Sequence, residues 1–274
     1  MSNDHTNILM CAGVRFEDEF RLTDEAIFRP VSIKLDHIEL MDRTLSKKEC
    51  GIICSIADYI CFELVTTADS EKDAAILGWN YQWSLILLSL ISKRAIFHPI
   101  SRFCRGEQEY YTLTNFFLSN AIFEEPHKLS KENQDAFVEV YPKFSQISDS
   151  RFLHATSVAA HVNREPKFTV RMAAIWSGVE ALLGVESELS FRIPLITAKL
   201  LAKSDEDRDE MFRKTKRLYT IRSKCVHGAS LKIDSATQNI SEKESLDLLI
   251  QLILWTCNNG SVLDTKTTTK LLLS

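Results

Sequence analysis

The stretch Arg213–Gly228, RKTKRLYTIRSKCVHG, decides how this chain is read. Extended back to Met211, it places Met211, Phe212, Thr215, Leu218, Tyr219, Arg222, Cys225 and Val226 at i, i+1, i+4, i+7, i+8, i+11, i+14 and i+15. That spacing is one face of an amphipathic helix. Arg222 is the one charged member of the stripe, and a guanidinium on a buried face is costly unless paired or lining a polar site. His227 follows five residues on, with Gly228 as a helix-stop signal. On an ideal helix, residues five apart sit about 140° from each other. A helix that stops at Gly228 releases His227 from that constraint, so it can turn towards Arg222.

A neutral-range acid–base group beside a fixed cation suits phosphodiester cleavage. Histidine takes or gives a proton near pH 7, and arginine stabilises charge developing on a phosphoryl group. In RNA the neighbouring 2′-hydroxyl serves as nucleophile, so no metal or other cofactor is needed. A structural alternative is a histidine interacting with the helix dipole beside a snorkelling arginine.

Working outward, three separated pieces carry a family resemblance. RMAAIWSGVEALLG begins at Arg171; ELSFRIPLITAKLL follows from Glu188; after an acidic helix start comes LYTIRSKCVHG, ending at Gly228. In this order and spacing they resemble the Apea-like branch of the HEPN domains, over roughly residues 150–260. The resemblance implies a helical bundle that dimerises, and a metal-independent endoribonuclease site of the form R-x4-6-H. Carried onto this chain, the site residues are Arg222 and His227, with Ser223 where many members have another polar residue. Some members of the family are non-catalytic binding modules, which gives the second reading: an RNA- or nucleotide-binding or regulatory module.

Composition sets the outer limits. The chain has 274 residues, 45% hydrophobic and 26% charged, with only 8 Gly and 6 Pro. This is an ordinary globular composition favouring helices. A net charge of −4 supplies no global attraction for nucleic acid, so RNA binding requires a local patch. The 7 cysteines are scattered and suggest reduced thiols in a cytoplasmic setting. Cys50 and Cys54 lack a ligand cluster, so no zinc site is expected. MSNDHTNILM does not read as a signal peptide, and the apolar run Leu85–Ile91 is too short to span a bilayer.

Along the chain, residues 7–66 read as strands. Val31, Ile33 and Leu35 alternate with polar residues, while Ile56, Ile60, Phe62 and Leu64 form a second run. FEDEF at 16–20 reads as a solvated loop or edge. Ser70 and Asp73 open a helix to about Lys93, with Trp79 and Trp83 packing in its core rather than stacking on bases. CRGEQEYY (104–111) and EEPHKLSKENQ (124–134) read as polar spacers around the apolar Phe116–Phe123. Asp149 caps the next helix. The following one carries Met172, Ile175, Trp176, Val179, Leu182 and Leu183, with Glu180 at the stripe's edge. Glu180 is either a partner that orients Arg222 or a rim carboxylate. Ser190 opens another helix, and Ser204 caps the one that ends in the motif. Ser241 and Glu244 form a capping box for the last helix, whose apolar circumference would meet the bundle on one side and a second subunit on the other. The tail from Thr265 shows no pattern.

These readings give an α+β protein: a mixed α/β domain at 1–125 and an all-α HEPN-like bundle at 126–274. The expected catalytic residues are Arg222 and His227, supported by Glu180 and Ser223. Arg192, Arg213, Lys214, Lys216, Arg217 and Lys224 are the candidate RNA contacts, although they could equally form salt bridges or a solvated face. The expected partners are RNA, tRNA included, and a second copy of the chain. No metal, cofactor or membrane is expected.

Overall fold

An apolar run, Ile8–Ala12 in HTNILMCA, buried on both faces, builds an interior strand of an N-terminal sheet. In the computed structural model, which describes residues 5–31, 36–105, 108–114, 125–227 and 233–273, this strand is β1 (His5–Ala12). It pairs antiparallel with β5 (Phe62–Ala68) on one side and β6 (Phe97–Arg105) on the other. With β3 (Phe20–Arg21), β4 (Ala26–Pro30) and β7 (Gln108–Leu113) the sheet runs β3-β4-β5-β1-β6-β7. A small parallel pair joins β2 (Val14–Arg15) to β8 (His127–Lys128).

Helices cover both faces. Ile8, Met10 and Ala12 share a core with Val65, Ile100 and Tyr111 and with Leu40, Ile53 and Ile56 of α1 (His37–Arg43) and α2 (Lys47–Ile56). The opposite face receives α3 (Glu71–Ser92), capped as expected by Ser70, whose hydroxyl accepts from the Asp73 amide at 3.1 Å. Gly78 allows a close approach: a Cβ there would lie 2.1 Å from the Asn7 amide nitrogen.

Several N-terminal expectations change. The segment read as all strand contains α1 and α2. Asp36 caps α1 through the amides of Ile38 and Glu39, and Ile56 closes α2, so the second strand begins only at Phe62. Most of Val31–Leu35 and all of Phe116–Phe123 lie outside the described residues. FEDEF does run through solvent to the sheet edge at β3, with Glu17–Glu19 exposed, but Phe16 is buried on Phe20, Phe28 and Phe62. Of residues 104–111, those described, Cys104, Arg105 and 108–111, belong to the paired strands β6 and β7 rather than a spacer, with Tyr111 fully buried. Trp79 and Trp83 are 62% and 40% exposed, so they are not core residues. α3 is longer than its most apolar run suggested, and its length and mean hydropathy of 1.3 would allow a membrane crossing. In the fold it lies on β1 and β5.

The chain divides into two compact units, 1–141 and 142–274. The division falls inside α4 (Lys131–Gln146) rather than near residue 125, because Phe137 is buried against Phe20 and Phe28 of the first unit. The second unit is helical: α5 (Ser150–His161), α6 (Phe168–Leu183), α7 (Leu189–Leu201), α8 (Asp205–Val226), α9 (Ser235–Asn259) and α10 (Thr265–Leu273). The fold class is therefore α+β.

The caps of α5 and α8 are as read, at Asp149 and Ser204. α7 starts at Leu189 rather than Ser190. The last two helices differ more. Asp234 caps α9 by accepting from the Thr237 amide at 2.7 Å, which places Ser241 inside the helix, fully buried. Asp264 likewise caps α10 in the tail. α9 buries Leu248, Leu249, Leu252 and Ile253 and touches α5, α6, α7 and α8. Its apolar circumference is thus largely satisfied within the chain, leaving Leu254 and Trp255 half-buried.

α6 ends at Gly184 in the left-handed region, φ +59°, where a Cβ would stand 2.9 Å from the Leu263 carbonyl oxygen. Gly184→Ala should lower stability by about 1–2 kcal/mol, measurable as a shift in the urea midpoint. An unchanged midpoint would mean that the α6 terminus tolerates rearrangement.

Candidate functional site

The motif helix α8 forms because both ends are signalled. Ser204 accepts from the Asp207 amide at 3.1 Å, and Asp205, Glu206 and Asp207 occupy the first turn, favourable to the helix dipole. Its stripe packs largely as the period implies: Thr215, Leu218, Tyr219 and Cys225 are buried, Met211, Phe212 and Arg222 partly so. Val226 is exposed. His227 is the C-cap residue, its amide donating to the Ser223 carbonyl at 3.1 Å. Its side chain is exposed and makes no hydrogen bond or ion pair among the described residues. Gly228 lies outside them.

Glu180 reaches Arg222. It sits in the last turn of α6, where its backbone carbonyl accepts from the Gly184 amide at 3.1 Å. Its Oε1 lies 2.8 Å from Arg222 Nη2, with the two side chains 21% and 16% exposed. The approach is close, but its angles do not make a hydrogen bond; Glu180 Oε1 and Arg222 Nε are buried without one. Arg222 also stands over the Tyr219 ring, 5.5 Å from its centre. Tyr219 meets Trp176 edge-on at 5.4 Å, and the Trp176 indole N–H donates to Ser245 at 3.3 Å. The guanidinium is therefore fixed on one side by an aromatic ring and a carboxylate. Its remaining donors retain bonding capacity.

Burial pushes the Glu180 carboxyl above the ordinary glutamate range, while Arg222 pulls it back. Burial likewise raises Tyr219, opposed by Arg222 and reinforced by Glu180.

The candidate phosphate contacts are mostly engaged. Arg192 pairs with Glu188 at 3.0 Å, and Arg213 pairs with Asp209. Lys214 and Arg217 converge on Glu244 of α9, Arg217 by a very short contact and Lys214 at 3.5 Å. Among the described residues Lys216 and Lys224 make no ion pair; Lys216 sits over the Phe212 ring at 5.7 Å. Glu244, expected to cap a helix, thus offsets two of the cations. Such exposed pairs are weak, about 0–1 kcal/mol each, so they reduce the local field without abolishing it.

Arg171 grips Glu242 through two contacts of 2.7 Å and donates to the carbonyls of Glu165 and Pro166, joining the start of α6 to α9. Its signal in the sequence was an arginine just inside a helix start, but its partner lies 71 residues on. All seven cysteines are unpaired, and no three His, Cys, Asp or Glu side chains among the described residues are grouped to hold a metal. Comparison of the chain with family models, curated proteins and solved structures finds no match.

A raised carboxyl pKa means that the folded state binds the Glu180 proton more tightly than the unfolded state. Folding stability from this group is therefore full below the ordinary glutamate range. It falls as pH rises through the raised value, then levels off. Subtracting the stability profile of Glu180→Gln from that of the wild type should leave this downward step. A flat difference would show that ionising Glu180 costs the fold nothing.

Proposed function

We propose that the second unit is a HEPN-like, metal-independent endoribonuclease module. The observation that carries this reading is Arg222, a part-buried guanidinium fixed by Glu180 and Tyr219, near the end of a helix whose cap residue is the exposed His227. The family resemblance of the surrounding sequence adds to it. In the proposed reaction His227 takes the proton from a ribose 2′-hydroxyl, and the oxygen attacks the adjacent phosphorus. The phosphorane's charge falls on the guanidinium of Arg222. The leaving 5′-oxygen departs with a proton, from His227 or water, giving a 2′,3′-cyclic phosphate and a 5′-hydroxyl. Ser223 supports the turn through its carbonyl bond to the His227 amide. Glu180 is a positioning residue. A homodimer placing two such pairs in one cleft, RNA including tRNA as substrate, and a cytoplasmic role in phage defence or growth arrest complete the proposal.

The second reading is a non-catalytic RNA- or nucleotide-binding or regulatory module. It is favoured by the engagement of Arg192, Arg213, Lys214 and Arg217 with carboxylates.

The deciding experiment is cleavage of total RNA and tRNA in EDTA, followed by end-group analysis. The wild type should leave cyclic phosphates, while His227→Ala and Arg222→Ala each lose roughly 10²-fold or more. Equal cutting by wild type and His227→Ala would remove His227 from the mechanism. Binding without cutting by a folded wild type would favour the second reading.

Both readings use the basic side of α8. Glu244→Gln releases Lys214 and Arg217 from their shared carboxylate, so it should tighten RNA binding across sequences and steepen its salt dependence. Filter binding at several salt concentrations measures both, and an unchanged slope would place the RNA elsewhere.

A further inference from the structure

We infer that the first unit holds a binding site for an uncharged, planar heteroaromatic ligand of nucleobase or nucleoside size. The site is a cavity of about 480 Å³ between α3 and the β1–β6–β7 side of the sheet. That volume lies within the range of small-molecule sites, about 300–1,000 Å³, and far above the voids of a packed core. It arises because α3 lies chiefly on β1 and β5, leaving the neighbouring strands open to solvent beside it.

The lining combines flat apolar surface with fixed hydrogen-bonding groups. Asn7, Leu9, Ser101 and Phe103 form the floor, on one face of the sheet by the register Asn7↔Phe103 and Leu9↔Ser101. Trp79 and Gln82 of α3 contribute to the wall. Trp79 is the most exposed aromatic of that helix, and its position beside a cavity gives an otherwise wasteful surface indole a surface to offer. Phe103 is itself braced by Tyr110, stacked at 6.2 Å. Asn7 is only 5% exposed. Its Oδ1 accepts from Ser101 at 2.9 Å, which orients the amide and points Nδ2 towards Gly78 of α3. The missing side chain at Gly78 leaves room for that Nδ2.

Charge selects the ligand class. Among the described residues no lysine or arginine lines the cavity; Glu71 is its one carboxylate and His98 its one imidazole. A phosphate or carboxylate would meet the Glu71 carboxylate and, among the described residues, no lysine or arginine, and a polynucleotide would lack the phosphate contacts on which its affinity depends. Aromatic walls with amide and hydroxyl donors and acceptors match an uncharged heterocycle, bound by stacking and edge hydrogen bonds. The site shares no residue with Arg222, His227 or Glu180, so the inference stands whether or not the chain cleaves RNA.

The test is titration of the full chain with adenosine, guanosine, cytidine and uridine, and with each 5′-monophosphate, by calorimetry and ligand-observed NMR. At least one nucleoside should bind, and its monophosphate should bind more weakly. Trp79→Ala should weaken binding roughly tenfold, and Trp79→Phe should restore most of it. Because Trp79 is exposed, both variants should keep the wild-type melting profile, which circular dichroism checks. The inference is overturned if none of the four nucleosides binds up to its solubility limit. It is equally overturned if the monophosphates bind tighter, or if Trp79→Ala retains full affinity.

Discussion

A guanidinium on the inward stripe of a helix must find compensation, and in this chain Glu180 provides it for Arg222. The pair ties the end of α6 to the later turns of α8. It also gives a reason for the terminus of α6: Gly184 stops the helix one turn after Glu180, so the same residue closes the helix through its carbonyl and reaches α8 through its carboxylate. Neither charge is in ideal hydrogen-bonding geometry, and burial raises the carboxyl pKa. A pair built only for stability gains little from such an arrangement, since desolvation offsets much of the attraction. A pair that keeps an arginine oriented is what the proposed phosphoryl contact requires.

Helical readings succeeded where local signals and tertiary packing agree. α6 has a regular stripe, all six of whose members are buried, and a glycine stop; α8 has a serine cap and an acidic first turn. The Glu180–Arg222 contact was legible because two charges appeared where two apolar stripes had no use for them. His227 was legible only as a residue freed by a following glycine. Its orientation relative to Arg222 depends on the turn beyond the helix, about which periodicity says nothing.

The failures have different causes. ECGIICSIADYICFELV is rich in β-branched residues and reads as strand, yet Ile53 and Ile56 sit at helical spacing on the core face of α2. Packing onto the sheet overrides the local preference. α3 is apolar nearly all round, so its period could not show which side is inward. Gly78 settles this by allowing the helix down onto Asn7, which turns Trp79 and Trp83 outward. Ser241 and Glu244 have the spacing of a capping box, but a cap must sit where backbone amides are unpaired. With Asp234 already holding the helix start, Ser241 becomes an interior residue and Glu244 a partner for Lys214 and Arg217.

The two units differ in the chemistry they expose, and the difference constrains what each can hold. On α8 cations are plentiful but are offset by carboxylates, so an incoming polyanion must exchange one set of partners for another. That exchange is favourable only for a ligand with several phosphates, because each replaced pair contributes little alone. The cavity beside α3 has the opposite character: it has no lysine or arginine among its described lining, and its polar groups are anchored by bonds such as Ser101 to Asn7. A small neutral ring needs no counter-charge there and loses little in binding to a preformed surface. On the two proposals, a chain with a net charge of −4 would hold a polyanion in one unit and an uncharged heterocycle in the other. The local distribution of charge decides this; the total does not.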